Sequence, residues 1–237
     1  VLGVPLLTSL GTAAGWRMPF VVLAVLAAVT LALLAKALPA VGHDPGAHPV
    51  RPQGRGRLIA VVTSNMLVFL GQFTVYTFIS VLLLTGGVTP AFIGPVLLLC
   101  GACGLAGLWY AGRGLDRDPR RTTAVLLAAS AAGVAVLRVT SSLLWATLLA
   151  ITVWCTAFGG VPSIYQACAV RIRAVSPERA GAWVNATSNA GIAGGSAIGA
   201  GLLGTAGLSS LPWAGAALIL LGMAVAMLSR NAFPSEP

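Results

Sequence analysis

The sequence predicts an all-α membrane protein, a polytopic bundle of transmembrane helices. Only 8% of its 237 residues are charged and 57% are hydrophobic, whereas a soluble domain carries about 25% charged residues. The charges are also segregated. Residues 91–111 and 122–137 contain none, while Gly112–Arg121 between them holds four arginines and two of the five acids. A short charged stretch between two apolar runs reads as a tight loop at a membrane face. The net charge of +9 would fit nucleic acid only if basic side chains clustered on a soluble face. Here they sit in short connections, so the expected partner is the lipid bilayer and no nucleic acid.

Taken in order, residues 1–14 read as the outer half of a span, Gly15-Trp16-Arg17 as a turn and 18–38 as the next span. About 20 apolar residues cross the hydrocarbon core. Residues 39–57 hold four prolines, four glycines and three arginines, the composition of a polar linker. His43, Asp44 and His48 lie there and read as solvated rather than metal-binding. Six further spans follow, at about 58–85, 90–112, 121–138, 143–170, 180–205 and 212–229. Their short connections suit antiparallel neighbours. The chain begins Val1-Leu2-Gly3 without a methionine and already apolar, so it is expected to start inside a helix, as a piece of a longer protein.

Orientation follows from the basic residues. With the linker cytoplasmic, twelve of the fourteen fall inside, and only Arg17 and Arg138 fall outside, a positive-inside pattern that also puts the C-terminus in the cytoplasm. A shift of 193 residues aligns Gly11-Thr12-Ala13 with Gly204-Thr205-Ala206 and Pro19-Phe20 with Pro212-Trp213. Matched positions of this kind are expected of transporters built from two parallel repeats.

Gly112, Asp116, Arg117, Arg120 and Arg121 match the loop motif G-x-L-x-D-R-x-G-R-R/K of the major facilitator superfamily, while Gly114, Leu115 and Pro119 depart from it. Gly3-x-Pro5, Gly11 and Gly15-Trp16-Arg17-x-x-Phe20 resemble the fifth-helix motif of its drug:proton antiporter branch, which includes multidrug and sugar efflux. The resemblance implies that residues 1–38 end the N-terminal bundle (half of helix 5, then helix 6). Residues 39–57 would be the cytoplasmic central loop, and 58–237 the C-terminal six-helix bundle. It implies a cell-membrane efflux transporter, proton-coupled by family alone, whose missing N-terminal helices complete it. Gly112, Asp116, Arg117, Arg120 and Arg121 would then form a cytoplasmic latch against the opposite bundle.

The residues themselves limit the chemistry. All five acids and both histidines fall in predicted loops or the tail, so neither a membrane protease nor any other enzyme is expected. Cys100, Cys103, Cys155 and Cys168 lie in apolar runs, and the Cys100–Cys103 pair has no partner pair for a metal. No cofactor is expected. The spans do carry neutral polar and aromatic groups at helical spacing: Asn65, Phe69, Gln72 and Tyr76, then Trp154, Phe158 and Tyr165 with Gln166 beside it. Such stripes should face protein or water, either lining a small-molecule cavity or hydrogen-bonding between helices. Asn185 and Asn189 read as packing contacts. Gly191, Gly195 and Gly199 form a small-residue ridge, with Gly3, Pro5, Gly11 and Gly15 as its counterpart, and Gly159-Gly160-x-Pro162 should kink its span. A neutral, partly aromatic wall suits an uncharged or amphipathic solute. The alternatives are a passive facilitator, or a sensor or assembly protein on a transporter-like scaffold.

Overall fold

A computed structural model describes residues 10–11, 14–37, 54–140, 143–229 and 232–233. Gly3, Pro5, His43, Asp44, His48 and most of the 39–57 linker lie outside the described residues. The described residues form helices without a strand, and six helical segments are long and apolar enough to cross a membrane. The first, α1 (Met18–Ala37), is apolar on every side up to Lys36 in its last turn, apart from Thr30, and has no buried residue. The remaining helices build a bundle.

The expected 58–85 span is two helices, α2 (Arg55–Tyr76) and α3 (Ile79–Thr85). No glycine or proline sits at the break. Instead the Thr77 hydroxyl donates to the Phe73 carbonyl at 2.7 Å, beside the Thr77 backbone N–H at 3.4 Å. Sharing a helix carbonyl with a side chain weakens its bond to the backbone and often, though not always, bends the helix; here the next N–H, of Phe78, tightens onto Val75 at 3.0 Å.

The charged stretch also departs from the expected loop. Helix α4 (Pro90–Arg117) runs through Gly112, Asp116 and Arg117, and α5 (Pro119–Thr140) begins two residues later. Asp118 alone separates them. Its carboxylate accepts the Arg121 N–H at 2.9 Å and Pro119 takes the first helical position, a side-chain cap followed by a residue with no N–H to satisfy. That sequence logic starts a helix at once, so no room is left for a hairpin.

The kink predicted at Gly159-Gly160-x-Pro162 is present. It divides the span into α6 (Leu144–Gly159) and α7 (Val161–Arg171), with Gly160 between. Helix α8 (Pro177–Thr205) is 29 residues long, about 43 Å at 1.5 Å per residue. Its glycine, serine and asparagine content leaves it out of the strongly apolar set. A turn at Leu208–Ser210 leads into α9 (Leu211–Leu228).

Helix α2 is central, flanked by α8 and α9, while α9 also packs on α5 and α6 lies between α4 and α5. Glycines set the closest approaches. The predicted ridge of Gly191, Gly195 and Gly199 is buried against α2. A Cβ at Gly191 would lie 2.9 Å from the Met66 carbonyl, and one at Gly199 would lie 2.6 Å from that of Thr74. A second crossing, between α4 and the α6–α7 joint, sets Gly104 and Gly107 against Gly159 and Gly160. Without a hydrophobic drive between helices in lipid, such backbone contact supplies the packing. Among the described residues Gly11 has Pro19 near it, and Gly15, with a positive φ of 92°, supplies the turn before α1.

Candidate functional site

A groove of about 450 Å³ lies along α2, α7 and α8, lined by Phe69, Gln166, Asn185, Ser188, Asn189 and Ile192 among others. Asn185 and Asn189 are exposed on it. Among the described residues they pack against no other helix: they share a helix with the glycine ridge of Gly191, Gly195 and Gly199 but lie on a different face from it. Gly181 makes room for the neighbouring amide, since a Cβ there would sit 2.7 Å from Gln166 Nε2. The groove therefore presents amides and a hydroxyl beside one aromatic ring and the aliphatic side chains of Pro162, Val184 and Ile192.

Asn65 lies behind this wall, fully buried. Its Nδ2 donates to the Val184 carbonyl at 3.1 Å and to the hydroxyls of Thr187 and Ser188 at 2.9 Å each. Its Oδ1 has no partner among the described residues. Asn65 thus ties α2 to α8 rather than facing open space, and it orients Ser188 at the groove's edge.

Tyr165 and Trp154 are likewise fully buried. The Tyr165 hydroxyl meets Ser64 Oγ at 2.7 Å, and Ser64 donates to the Gly222 carbonyl at 2.7 Å, joining α7, α2 and α9. Trp154 Nε1 donates to Gln72 Oε1 at 2.6 Å, joining α6 to α2. For Asn65, Trp154 and Tyr165, the interhelical bonding that competed with cavity lining is what the geometry contains. Asn65 Nδ2, Trp154 Nε1 and the Tyr165 hydroxyl, polar atoms in an apolar bundle, each take a partner on a neighbouring helix.

A second cavity of about 220 Å³ reaches Gln72, Tyr76 and Phe158, with Cys100 and Cys155 on its wall. Aromatic rings enclose this region: Phe69 meets Phe158 edge-on at 5.3 Å, and Tyr76 meets Phe73 at 5.8 Å and Trp154 at 6.1 Å. The eight stripe residues are thus split. Phe69 and Gln166 reach the groove, Gln72, Tyr76 and Phe158 the smaller cavity, and Asn65, Trp154 and Tyr165 the helix interfaces. Asn185, Ser188 and Asn189 were missed as groove residues, although their clustering in an otherwise apolar chain was the available signal.

At one end of the bundle the basic residues gather around helix termini. Arg171 donates through Nη1 to the Leu115 carbonyl at 2.7 Å and lies 3.4 Å from Asp116 Oδ1. Arg120 donates to the Met227 carbonyl at 2.6 Å. Both arginines satisfy carbonyls in the last turns of α4 and α9, where positive charge is favoured. Arg113 stacks 3.7 Å over Trp109. Asp116 pairs with Arg171 rather than with the motif arginines Arg117, Arg120 or Arg121, and its carboxylate is 80% exposed. At a helix C-terminus only carbonyls are unsatisfied, so a carboxylate finds no backbone donor there; Asp118, at the N-terminus of α5, does.

A sequence profile of the Major Facilitator Superfamily matches residues 1–181. The chain is 26% identical to a probable sugar efflux transporter of Helicobacter pylori over 94% of this chain and 58% of that protein. It is 30% identical to a chloramphenicol resistance protein of Streptomyces lividans over 98% and 61%. It is 29% identical to the transcription regulatory protein OpdE of Pseudomonas aeruginosa over 98% and 60%. The chain thus spans about three-fifths of the length of these relatives. A helical bundle with glycine-mediated crossings, a charged α4–α5 junction carrying the superfamily's loop residues, and a profile match over most of the length lead to one assignment: this chain belongs to the Major Facilitator Superfamily.

Proposed function

We propose that the chain contributes the second six-helix bundle, and the end of the first, to a secondary transporter that exports a small neutral or amphipathic compound by alternating access. The observation that supports this most is the groove. Gln166, Asn185, Ser188 and Asn189 are uncharged hydrogen-bonding groups on helices of a membrane bundle, and such groups are costly against lipid but suited to water, solute or a facing bundle. An amide both donates and accepts, so it can match a hydroxyl or amide of a neutral solute in either sense. The efflux name of the Helicobacter relative supports export, and together with the chloramphenicol resistance name of the Streptomyces relative it leaves both a drug-like compound and a sugar as substrate. Proton coupling rests on the family alone. Asp116, Asp118 and Glu178 all lie at helix ends, so on this reading a coupling carboxylate belongs to the part of the relatives that this chain does not span.

Export of chloramphenicol and of a labelled disaccharide from everted vesicles, with the full-length protein at matched levels, tests the groove. Gln166→Leu and Asn189→Leu each remove amide contacts without adding charge. They are expected to lower efflux of the transported compound by about tenfold, the loss of roughly one neutral hydrogen bond in a desolvated site. Unchanged efflux in both variants would refute the groove as the solute path. A regulatory, non-transporting role is the second reading, favoured by the name of the Pseudomonas relative. It predicts no net movement of any solute in proteoliposomes.

A further inference from the structure

Away from the basic cluster, at the opposite end of the bundle, a cavity of about 320 Å³ opens between the ends of α3, α5, α6 and the turn before α9. Leu82, Leu137, Leu208 and Pro212 make its wall apolar, and Arg138 and Ser209 stand at it as donors. We propose that this cavity binds an anionic phospholipid, with its phosphate on Arg138 and Ser209 and the start of its acyl chains on the apolar wall.

Three observations carry this. First, Arg138 has no hydrogen bond or ion pair among the described residues. Every described acid belongs to the other end: Asp118 precedes the first turn of α5, whereas Arg138 ends that helix about 30 Å away. Second, the other hydroxyls at the cavity have their protons engaged. Thr147 donates to the Thr140 carbonyl at 2.7 Å and Thr85 to its own preceding turn at 3.0 Å. Arg138 and Ser209 are therefore the side-chain donors left for a ligand, and together they select an anionic acceptor. Third, the rest of the wall is aliphatic, at the end of helices long enough to cross a bilayer. A free inorganic anion would leave that wall wet, whereas a lipid covers it. An unpaired arginine at the end of a spanning helix reaches the headgroup level, where an anionic lipid is its natural counter-charge.

The full-length protein in nanodiscs, with a phosphatidylglycerol photo-probe reactive near its headgroup, tests the assignment by peptide mapping. Labelling is expected on the segments around Leu82 and Leu208, displaced by phosphatidylglycerol at least about fivefold better than by phosphatidylcholine of the same chains. Arg138→Gln should remove that preference, Arg138→Lys should retain it and Ser209→Ala should weaken it. Labelling at the basic end, around Arg120 and Arg171, should be the same in all variants and reports an intact fold. If Arg138→Gln loses labelling at both ends, Arg138→Lys and Ser209→Ala decide the question. Equal displacement by phosphatidylcholine, or a preference that survives Arg138→Gln, would overturn the proposal. Displacement by millimolar inorganic phosphate would overturn it in favour of a free-anion site.

Discussion

Gly107→Ala and Gly112→Ala change the same residue type in the same helix, five positions apart, and the structure assigns them opposite outcomes. Alanine in place of glycine in a helix interior gains about 1 kcal/mol from backbone entropy, and that gain applies at both sites. At Gly112 nothing lies within 4 Å of the added methyl, so the gain stands. At Gly107 the methyl falls on the Thr156 carbonyl oxygen, with the carbonyl carbon at 2.9 Å. Carbon–carbon contacts are comfortable at about 3.5–4.0 Å, so clearing the carbonyl carbon alone takes a separation of roughly 0.6–1.1 Å between α4 and α6, and clearing the nearer oxygen takes more. The obstacle is backbone, and the separation also opens the contact of Gly104 with Gly159 and that of Gly107 with Gly160. Overpacking of this kind costs about 1–3 kcal/mol and more when nothing can rotate away. The expected net result is destabilisation by about 1–3 kcal/mol for Gly107→Ala and a change of opposite sign, up to about 1 kcal/mol, for Gly112→Ala. Equilibrium unfolding in mixed micelles of a mild detergent and dodecyl sulfate, followed by tryptophan fluorescence, measures both. If the two variants shift stability in the same direction by the same amount, the glycine crossing does not hold α4 on α6. Gly112 also belongs to the superfamily loop motif, so a stable Gly112→Ala protein that no longer transports would locate its role in another conformation.

Two further contrasts follow from the hydrogen bonds. Asp118→Ala should cost about 0.5–2 kcal/mol of stability through loss of the α5 cap, with Asp118→Asn costing less because asparagine caps as well as aspartate. Asp116→Asn should barely alter stability, since its partner is at 3.4 Å and its carboxylate is largely solvated, so a large loss of transport in that variant alone would support the latch, and equal small effects of both asparagine variants would remove it. A double-mutant cycle of Gln72→Leu with Trp154→Phe should show coupling of about 0.6–1.7 kcal/mol, the range for hydrogen bonds between membrane helices; additive effects would mean that the 2.6 Å contact contributes nothing.

Charge segregation and the length of the apolar runs were enough to place α1, α4, α5 and α9, because a spanning helix is dictated by local composition and the hydrocarbon thickness. The Gly159-Gly160-x-Pro162 interruption was equally legible, since a missing N–H acts within its own helix. The break after Tyr76 was not legible: it depends on one threonine hydroxyl choosing a carbonyl, and threonines elsewhere in the chain, such as Thr123 and Thr156, make the same bond inside unbroken helices.

For the candidate site, residue type was legible and neighbour was not. The i, i+4, i+7 spacing puts Asn65, Phe69, Gln72 and Tyr76 along one side of α2. A stripe that faces inward, however, meets α8 at Asn65, α6 at Gln72 and a cavity at Tyr76. Periodicity reports a direction, and only the helix standing in that direction decides whether an amide becomes a bond or a wall. The same holds for the two aspartates. Their spacing in the motif singled out Asp116, whereas the end of α4 and the start of α5 gave the capping bond to Asp118, because carbonyls are left open at one terminus and N–H groups at the other.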